Sequence, residues 1–285
     1  MAKNKADKLG SIKKVKGGVV VEYNGRKRIF TRKPIFFPEE YEKATRQHLE
    51  GKDTIVLGMN GYSHLSADQC AVWGVKVGAY EEACKSLLAN CIRVLQTEFP
   101  GIDVRIAHGA SNMGVDAVAI EVARRLNIPH LGHSCPHFMM YVEDDDVPVY
   151  VAASMVGYAD SFMDSLDILI GANGRLHSFM HDIDAVFKKL KHFVPVNVLR
   201  TISTNGGPPA LGAKGEIEDA VAVFEQRVHL VATRLGMIDG ADQWKVLSSY
   251  LTGTITSIAR QILSPHCAFS TSLYTEIHDK TGVAK

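Results

Sequence analysis

The stretch IAHGASNMGVD, residues 106–116, contains the residues best suited to hold an anionic ligand. Small and polar residues lie between Gly109 and Gly114, and Asp116 follows two positions later. A turn of this composition can leave backbone N–H groups free, and the positive end of a following helix points at the same spot. The sequence therefore predicts a phosphate or anion site here. A turn with a purely structural purpose is the alternative.

Two further glycine-containing turns have a similar composition, GMNGYS at residues 58–63 and GANGRLHS at residues 171–178. The first has neither the GK[ST] ending of a Walker loop nor the spacing of a dinucleotide-binding GxGxxG motif. The three turns together supply the predicted ligand-binding residues, which are Gly58, Asn60, Gly61, Ser63, Gly109, Ala110, Ser111, Asn112, Gly114, Gly171, Asn173, Gly174 and Arg175. Asp116 and His177 are the candidates for acid–base chemistry.

Histidines and a cysteine near the third predicted strand could instead hold a metal ion. The potential ligands are His130, His133, Cys135 and His137, and also His177, His181 and Asp182. Imidazole and thiolate are zinc ligands, but strand alternation would divide the first group between two faces. We therefore predict no metal site and no dedicated cofactor, and we expect His133 and His137 to line a cleft or to pack.

Alternating strands and helices must position these turns. Strands are predicted at residues 54–58, 103–108, 129–132, 147–152, 167–172 and 194–199. The clearest helices are residues 79–97 and the one after Gly114, whose apolar residues recur every three or four positions. The alternation predicts a doubly wound parallel sheet, a Rossmann-like α/β fold, with ligands beyond the carboxyl ends of its strands. The turns after strands one, two and five should then share one cleft.

Both ends of the chain differ from this central part. Residues 1–33 are strongly basic, and VVVEYNGRKRIF predicts a β-hairpin that turns at Asn24-Gly25. The hairpin could contact nucleic acid, but covering the edge of the sheet is the preferred interpretation. Past residue 200, a Gly/Pro-rich stretch precedes two predicted helices, 216–235 and 243–263, and the second has an apolar face for the sheet or for a dimer. The predicted divisions are residues 1–50, 51–200 and 201–285.

The composition is typical of a globular protein in a reducing compartment. The 285 residues are 46% hydrophobic, with 32 basic and 31 acidic side chains. No apolar run approaches the roughly 20 residues of a membrane span, and the N-terminus lacks the apolar core of a signal peptide. Five cysteines without a CxxC pair favour reduced thiols. We therefore expect a cytoplasmic protein with no membrane partner.

The order of elements resembles the SLOG superfamily of Rossmann-like nucleotide-binding proteins, which includes LOG-type phosphoribohydrolases, DprA DNA-processing proteins and YspA-like proteins. The resemblance covers residues 53–200 and is carried by GASNMGVDAVAIEVARRLNIP, SLDILIGANGRLHSF and VPVNVL. Gly109, Gly114 and Asp116 look like the first glycine element of that superfamily. The resemblance implies binding of a nucleotide or a nucleotide-derived phosphate ester, and a homo-oligomer.

The chain departs from the LOG pattern PGGxGTxxE, in which the glutamate acts on the N-glycosidic bond. Ser178 or, without a gap, Met180 or His181 takes that position, and Tyr158 and Ala159 stand where the family has an Arg-Lys pair. The resemblance therefore favours a nucleotide sensor or carrier, with an enzyme at the N-glycosidic bond as the alternative. A DprA-like single-stranded DNA binder is a second alternative, disfavoured by the net charge of +1 and by the lack of an aromatic ladder.

Overall fold

The computed structural model describes residues 10–175, 185–186, 188–189, 191–205, 253–260 and 262–263. The strands in this part of the chain are β1 Ser11–Val15, β2 Gly18–Tyr23, β3 Arg26–Phe30, β4 Ile35–Phe36, β5 Thr54–Gly61, β6 Asp103–His108, β7 His130–Ser134, β8 Val149–Val151, β9 Ile168–Ala172 and β10 His192–Val196. The helices are α1 Tyr41–His48, α2 Ala67–Trp73, α3 Ala79–Glu98, α4 Gly114–Leu126, α5 Met155–Ser165 and α6 Val198–Ile202, with 3₁₀ turns at Pro38–Glu40 and Phe138–Tyr141.

Seven strands form one parallel sheet in the order β10-β9-β5-β6-β7-β8-β4. From β5 the chain winds outward through β6, β7 and β8, and it then returns to the other side of β5 with β9 and β10. The order therefore reverses at β5, where a doubly wound sheet leaves a crevice at its carboxyl edge. The predicted α/β class is confirmed.

Helices cover both faces of this sheet because its strands are apolar on both sides. Ile55 and Leu57 of β5 join the apolar faces of α3 and α4 in one cluster of buried residues. Val56, which points the other way, belongs to a second cluster with residues of α1 and α5. Strands buried on both faces are typical of parallel sheets between two layers of helices. The core therefore lies on both sides of β5 and β6.

The predicted hairpin forms at Asn24-Gly25, where both residues have positive φ, +47° and +76°, as a type I′ turn requires. β1 adds a third antiparallel strand to it. Its buried Val21 and Phe30 pack with residues from the 3₁₀ turn and β8. No strand of the hairpin pairs with the large sheet, whose last strand at this end is the short β4, paired with β8. The interpretation that the hairpin covers the sheet edge therefore stays a prediction.

An acidic loop fastens the segment between the hairpin and β4. The carboxylate of Asp144 accepts hydrogen bonds from the backbone N–H groups of Thr31, Arg32 and Lys33 at 3.0–3.1 Å. The Lys33 ammonium, itself buried, pairs with Asp145. These hydrogen bonds hold the Asp144 carboxylate in its charged form, and they lower its pKa despite the opposing effect of desolvation. Contacts more than 110 residues apart in sequence therefore position β4.

Some predicted boundaries shift. β5 continues three residues past Gly58, and β10 ends at Val196 because the Asn197 side chain caps α6 by accepting from the Arg200 N–H. β4 lies within residues 1–50 yet belongs to the large sheet, and the three-part division stays a prediction. No helix among the described residues combines the length and apolar character needed to cross a membrane.

Only part of the C-terminal prediction falls on described residues. Residues 253–260 and 262–263 are helical, as the pattern over 243–263 predicts. Ile255 and Ala259 are fully buried in the same cluster as α3, so this face packs on the body of the protein. The Gly/Pro-rich stretch after residue 205 and the predicted helix 216–235 lie outside the described residues.

Candidate functional site

A small cleft opens at the carboxyl edge of the sheet, at the reversal of strand order. It lies between the end of β5, the first turn of α4 and one face of α5, and its volume is about 80 Å³. The lining residues are Met59, Asn60, Gly61, Ser63, Gly109, Met113, Val115, Asp116, Tyr158, Ala159 and Phe162. The first and second predicted turns meet here, because β5 and β6 are neighbouring parallel strands.

Two glycines allow the backbones of these turns to touch. Gly114 has a φ of +53°, and a Cβ there would overlap the carbonyl oxygen of Tyr62. The Val115 N–H donates to that same oxygen at 3.3 Å. A Cβ on Gly61 would overlap the Tyr80 hydroxyl. Gly114 therefore makes room for the protein's own loop, whereas the sequence pattern predicts room for a ligand.

Tyr80, which sequence reasoning missed, joins the first turn to the third. Its hydroxyl accepts from the Tyr62 N–H at 3.1 Å and donates to the Ala172 carbonyl at the end of β9. The ring is almost fully buried. The available signal is a tyrosine on the apolar face of an amphipathic helix, since a buried tyrosine hydroxyl usually has a hydrogen-bond partner.

The GASNMG turn directs its backbone N–H groups inward. Asp116 accepts from the Gly109 N–H at 2.7 Å and from the Ser111 hydroxyl at 2.9 Å. The Ala110 N–H donates to His108 Nδ1 at 3.1 Å, and the Asn112 N–H donates to the Tyr141 carbonyl at 3.3 Å. Burial raises the pKa of Asp116, against the effect of its hydrogen bonds. The N–H groups of residues 109, 110 and 112 are therefore already bonded within the protein, and they do not form the predicted anion clamp.

The structure separates several of the predicted ligand-binding residues from the cleft. Gly58 lies inside β5, where a Cβ would come within 2.7 Å of Leu166 Cδ2 and 3.2 Å of Phe162 Cζ. Its missing side chain thus lets α5 pack against the strand. Ala110 and Asn112 line a wider groove on the outer side of α4, together with charged side chains.

One residue of the third turn, Asn173, has a structural role that the sequence does not reveal. Asn173 is fully buried with a φ of +62°. Its side chain donates to Asn197 Oδ1 and accepts from the Leu199 N–H, both at 3.0 Å. Asn173 therefore fastens the end of β9 to α6. Gly171 and Gly174 are buried and Arg175 is exposed, and none of the three lines the cleft.

His177, like the alternatives Ser178, Met180 and His181 at the family's glutamate position, lies outside the described residues. Its acid–base role stays a prediction. Asp116, the other candidate, lines the cleft.

One wall of the cleft is an apolar stripe on α5. Met155, Tyr158, Ala159 and Phe162 follow the i, i+3, i+4, i+7 spacing that places side chains on one helix face. The rings of Tyr158 and Phe162 are nearly parallel, at 9°, with centroids 6.5 Å apart. Met155 is 51% exposed, and Met113, which also lines the cleft, is 37% exposed. The positions of the family's Arg-Lys pair therefore carry an aromatic and an aliphatic surface.

His108 and His130 form a hydrogen-bonded pair, and His133 is hydrogen-bonded to serines of α5. His108 Nδ1 accepts from the Ala110 N–H, so its Nε2 carries the proton and donates to His130 Nδ1 at 3.0 Å. His133 lies 3.0 Å from the Ser165 hydroxyl and 3.3 Å from that of Ser161. His133 thus packs under α5 and does not line the cleft.

Burial depresses the pKa of these rings because it penalises the charged form. It lowers the pKa of His133 to about 3 and that of His130 to about 4, and it holds the pKa of His108 well below its usual range. Among the described residues, no three His, Cys, Asp or Glu side chains are arranged to hold a metal ion.

The parallel sheet, the helices on both its faces and the cleft at the strand reversal define a Rossmann-like α/β protein. No family model and no curated protein matches the chain. One similar solved structure is the molybdenum cofactor carrier protein of Chlamydomonas reinhardtii, at 14% identity and a TM-score of 0.40 over 74% of this chain and 99% of that one.

Proposed function

We propose that this protein binds a nucleotide or a nucleotide-derived phosphate ester in the cleft, as a sensor or carrier. The observation that carries the proposal is the position of the cleft. It lies beyond the carboxyl ends of β5 and β6, at the point where strand order reverses. In open α/β sheets this is where ligands bind.

The lining offers the two kinds of surface that a nucleotide presents. Asn60, Ser63 and Asp116 provide hydrogen-bonding groups on one side. Tyr158 and Phe162 provide an aromatic surface on the other, against which an apolar face of the ligand can pack. Clefts that combine an apolar wall with a few polar groups are typical of small-molecule sites.

The lining gives little support to cleavage of an N-glycosidic bond. Asp116 is the only carboxylate among the described residues of the lining, and it already accepts from the Gly109 N–H and the Ser111 hydroxyl. Cleavage also needs an acid that protonates the leaving group, and no second carboxylate and no histidine accompanies Asp116 in this described lining. A protein that binds without turnover accounts for this geometry.

The test is calorimetric titration of the whole chain with ribonucleosides and their 5′-monophosphates. Ser63→Phe places a ring in the cleft from an exposed position, and we expect it to weaken binding at least tenfold. His64→Phe makes the same change at the next, exposed residue, which does not line the cleft, and it should bind as the parent does. Equal binding by both variants would place the ligand elsewhere.

Turnover is tested by incubating the protein with purine and pyrimidine monophosphates and separating the products by chromatography. We expect no release of free base. Rapid release that disappears in Asp116→Asn would instead establish the enzyme. The homo-oligomer also stays a proposal, which light scattering of the purified protein can test.

A further inference from the structure

We infer that the uncharged sugar of a nucleoside-type ligand enters the cleft, and that any phosphate stays outside it. The inference rests on the proposed function and concerns the same site. It reverses the orientation that the glycine turn predicts, in which the phosphate would be the innermost group.

The size of the cleft limits what enters it. A volume of about 80 Å³ is well below the roughly 300–1,000 Å³ of pockets that enclose a whole ligand. Only one fragment of a nucleotide, its sugar or a phosphate, can therefore occupy the interior. The charge of the lining decides between the two.

The lining is unsuited to a phosphate. Among the residues that the structure describes, it contains no Lys, Arg or His, and Asp116 contributes a carboxylate. The N-terminus of α4 adds a partial charge equivalent to about +0.5, which is smaller than the unit negative charge of an ionised carboxylate. The N–H groups of Gly109, Ala110 and Asn112, which could have compensated, donate within the protein.

The polar side chains of the lining are suited to binding ligand hydroxyl groups. The amide of Asn60 and the hydroxyl of Ser63 can each donate and accept, as sugar hydroxyls do. A carboxylate offers about four acceptor sites. Three on Asp116 are taken by the Gly109 N–H and by the amide and hydroxyl of Ser111, and the remaining site can accept from a sugar hydroxyl.

The mouth of the cleft suits the base. Met113 lines the cleft and is 37% exposed. Met155 is not itself a lining residue, but it is 51% exposed and lies one helical turn before Tyr158 on the same face of α5. A ligand with hydroxyl groups at one end and a flat ring at the other would place its hydroxyl groups in the polar interior and its ring on the exposed apolar surface. A sugar inside and a base at the mouth match it.

The experiment compares four ribonucleosides, their 2′-deoxy forms and their 5′-monophosphates by calorimetry, with inorganic phosphate as competitor. For the base that binds, we expect the nucleoside and the monophosphate to agree within about threefold. Removal of the 2′-hydroxyl should weaken binding, and millimolar phosphate should not compete. Asp116→Asn should weaken nucleoside binding about tenfold, while Glu98→Gln, the same charge change on an exposed residue at the end of α3, should not.

Two results would overturn the inference while leaving the proposed function intact: competition by inorganic phosphate, or a monophosphate that binds more than tenfold tighter than its nucleoside. Both are measured on the parent protein, so they hold even if Asp116→Asn fails to fold. Absence of binding by every compound would instead reject the proposed function itself.

Discussion

Lowering the pH from 7.5 to 5.5 should destabilise this protein through its buried histidines. His108 and His133 are fully buried, and burial lowers the pKa of both, that of His133 to about 3. In the unfolded chain a histidine has a pKa of about 6.5. Over this pH range the unfolded state therefore takes up protons that the folded state does not, and the stability falls as pH falls.

The size of the effect follows from the same pKa values. Between pH 7.5 and 5.5 an unfolded histidine goes from about one-tenth to about nine-tenths protonated, which is worth about 1.4 kcal/mol when the folded form stays neutral. His108 and His133 together give about 3 kcal/mol, a large share of the 5–15 kcal/mol typical of a folded domain. The pKa values of the paired carboxylates Asp144 and Asp145 are lowered, so these groups stabilise the folded state at neutral pH. That stabilisation is lost in addition as the pH falls below about 5. Asp116, with its raised pKa, acts in the opposite direction.

The assay is urea denaturation at half-unit pH steps, with the free energy of unfolding plotted against pH. His133→Leu keeps the approximate volume of the side chain and removes its titration, so about 1.4 kcal/mol of the pH-dependent change should disappear. Leu131→Val, a change in a buried neighbour on the same strand, should lower the stability by about 1 kcal/mol at every pH and leave the slope unchanged. A parent protein with equal stability at pH 7.5 and 5.5, or an unchanged slope in His133→Leu, would refute the reasoning.

Two further predictions concern the segments that shape the cleft and its surroundings. Gly114→Ala should lower the stability by about 1–3 kcal/mol, because the new Cβ would overlap the Tyr62 carbonyl oxygen. Gly157→Ala, a matched change in α5 whose Cβ would meet only ordinary contacts, should be neutral or stabilising. Equal effects of the two substitutions on thermal unfolding would contradict this. Asp144→Asn should lower the stability by about 1–2 kcal/mol and speed proteolysis near Thr31, since the acceptor of several hydrogen bonds loses its charge; an unchanged cleavage rate would count against this role.

The alternation of strands and helices was sufficient to predict the fold, because period and turn chemistry are local. The ends of strands were harder to predict. Gly58 and Gly61 have the same side chain, yet one lies under α5 and the other beside Tyr80. Only the packing of Phe162 and Leu166, more than 100 residues away, distinguishes a packing glycine from a turn glycine.

The sequence predicts a cleft shared by three turns, but the described part of the third turn does not line the cleft seen here. The composition of the GASNMG turn indicates free N–H groups, but the carboxylate of Asp116 folds back and accepts from Gly109 and Ser111. The hydrogen bond from the Gly109 N–H to Asp116 spans seven residues, longer than the local spacings by which such side-chain-to-backbone hydrogen bonds are recognised in a sequence. The wall of Tyr158 and Phe162 was missed because it comes from a helix that only the tertiary fold brings to β5.

The pairing of β4 with β8 has a consequence for the order in which the protein assembles. Ile35 and Phe36 can pair with the large sheet only after Val149 and Tyr150 have been synthesised. The loop that contains Asp144 is synthesised at nearly the same time. Closing such distant contacts slows folding, so the basic hairpin is synthesised first and docked late. In that interval its lysines and arginines face solvent, and β7 is the open edge of the growing sheet until β8 and then β4 add to it. β4 is therefore the last strand to join this end of the sheet, and an edge that stays open until then is a general hazard for pairing with other chains.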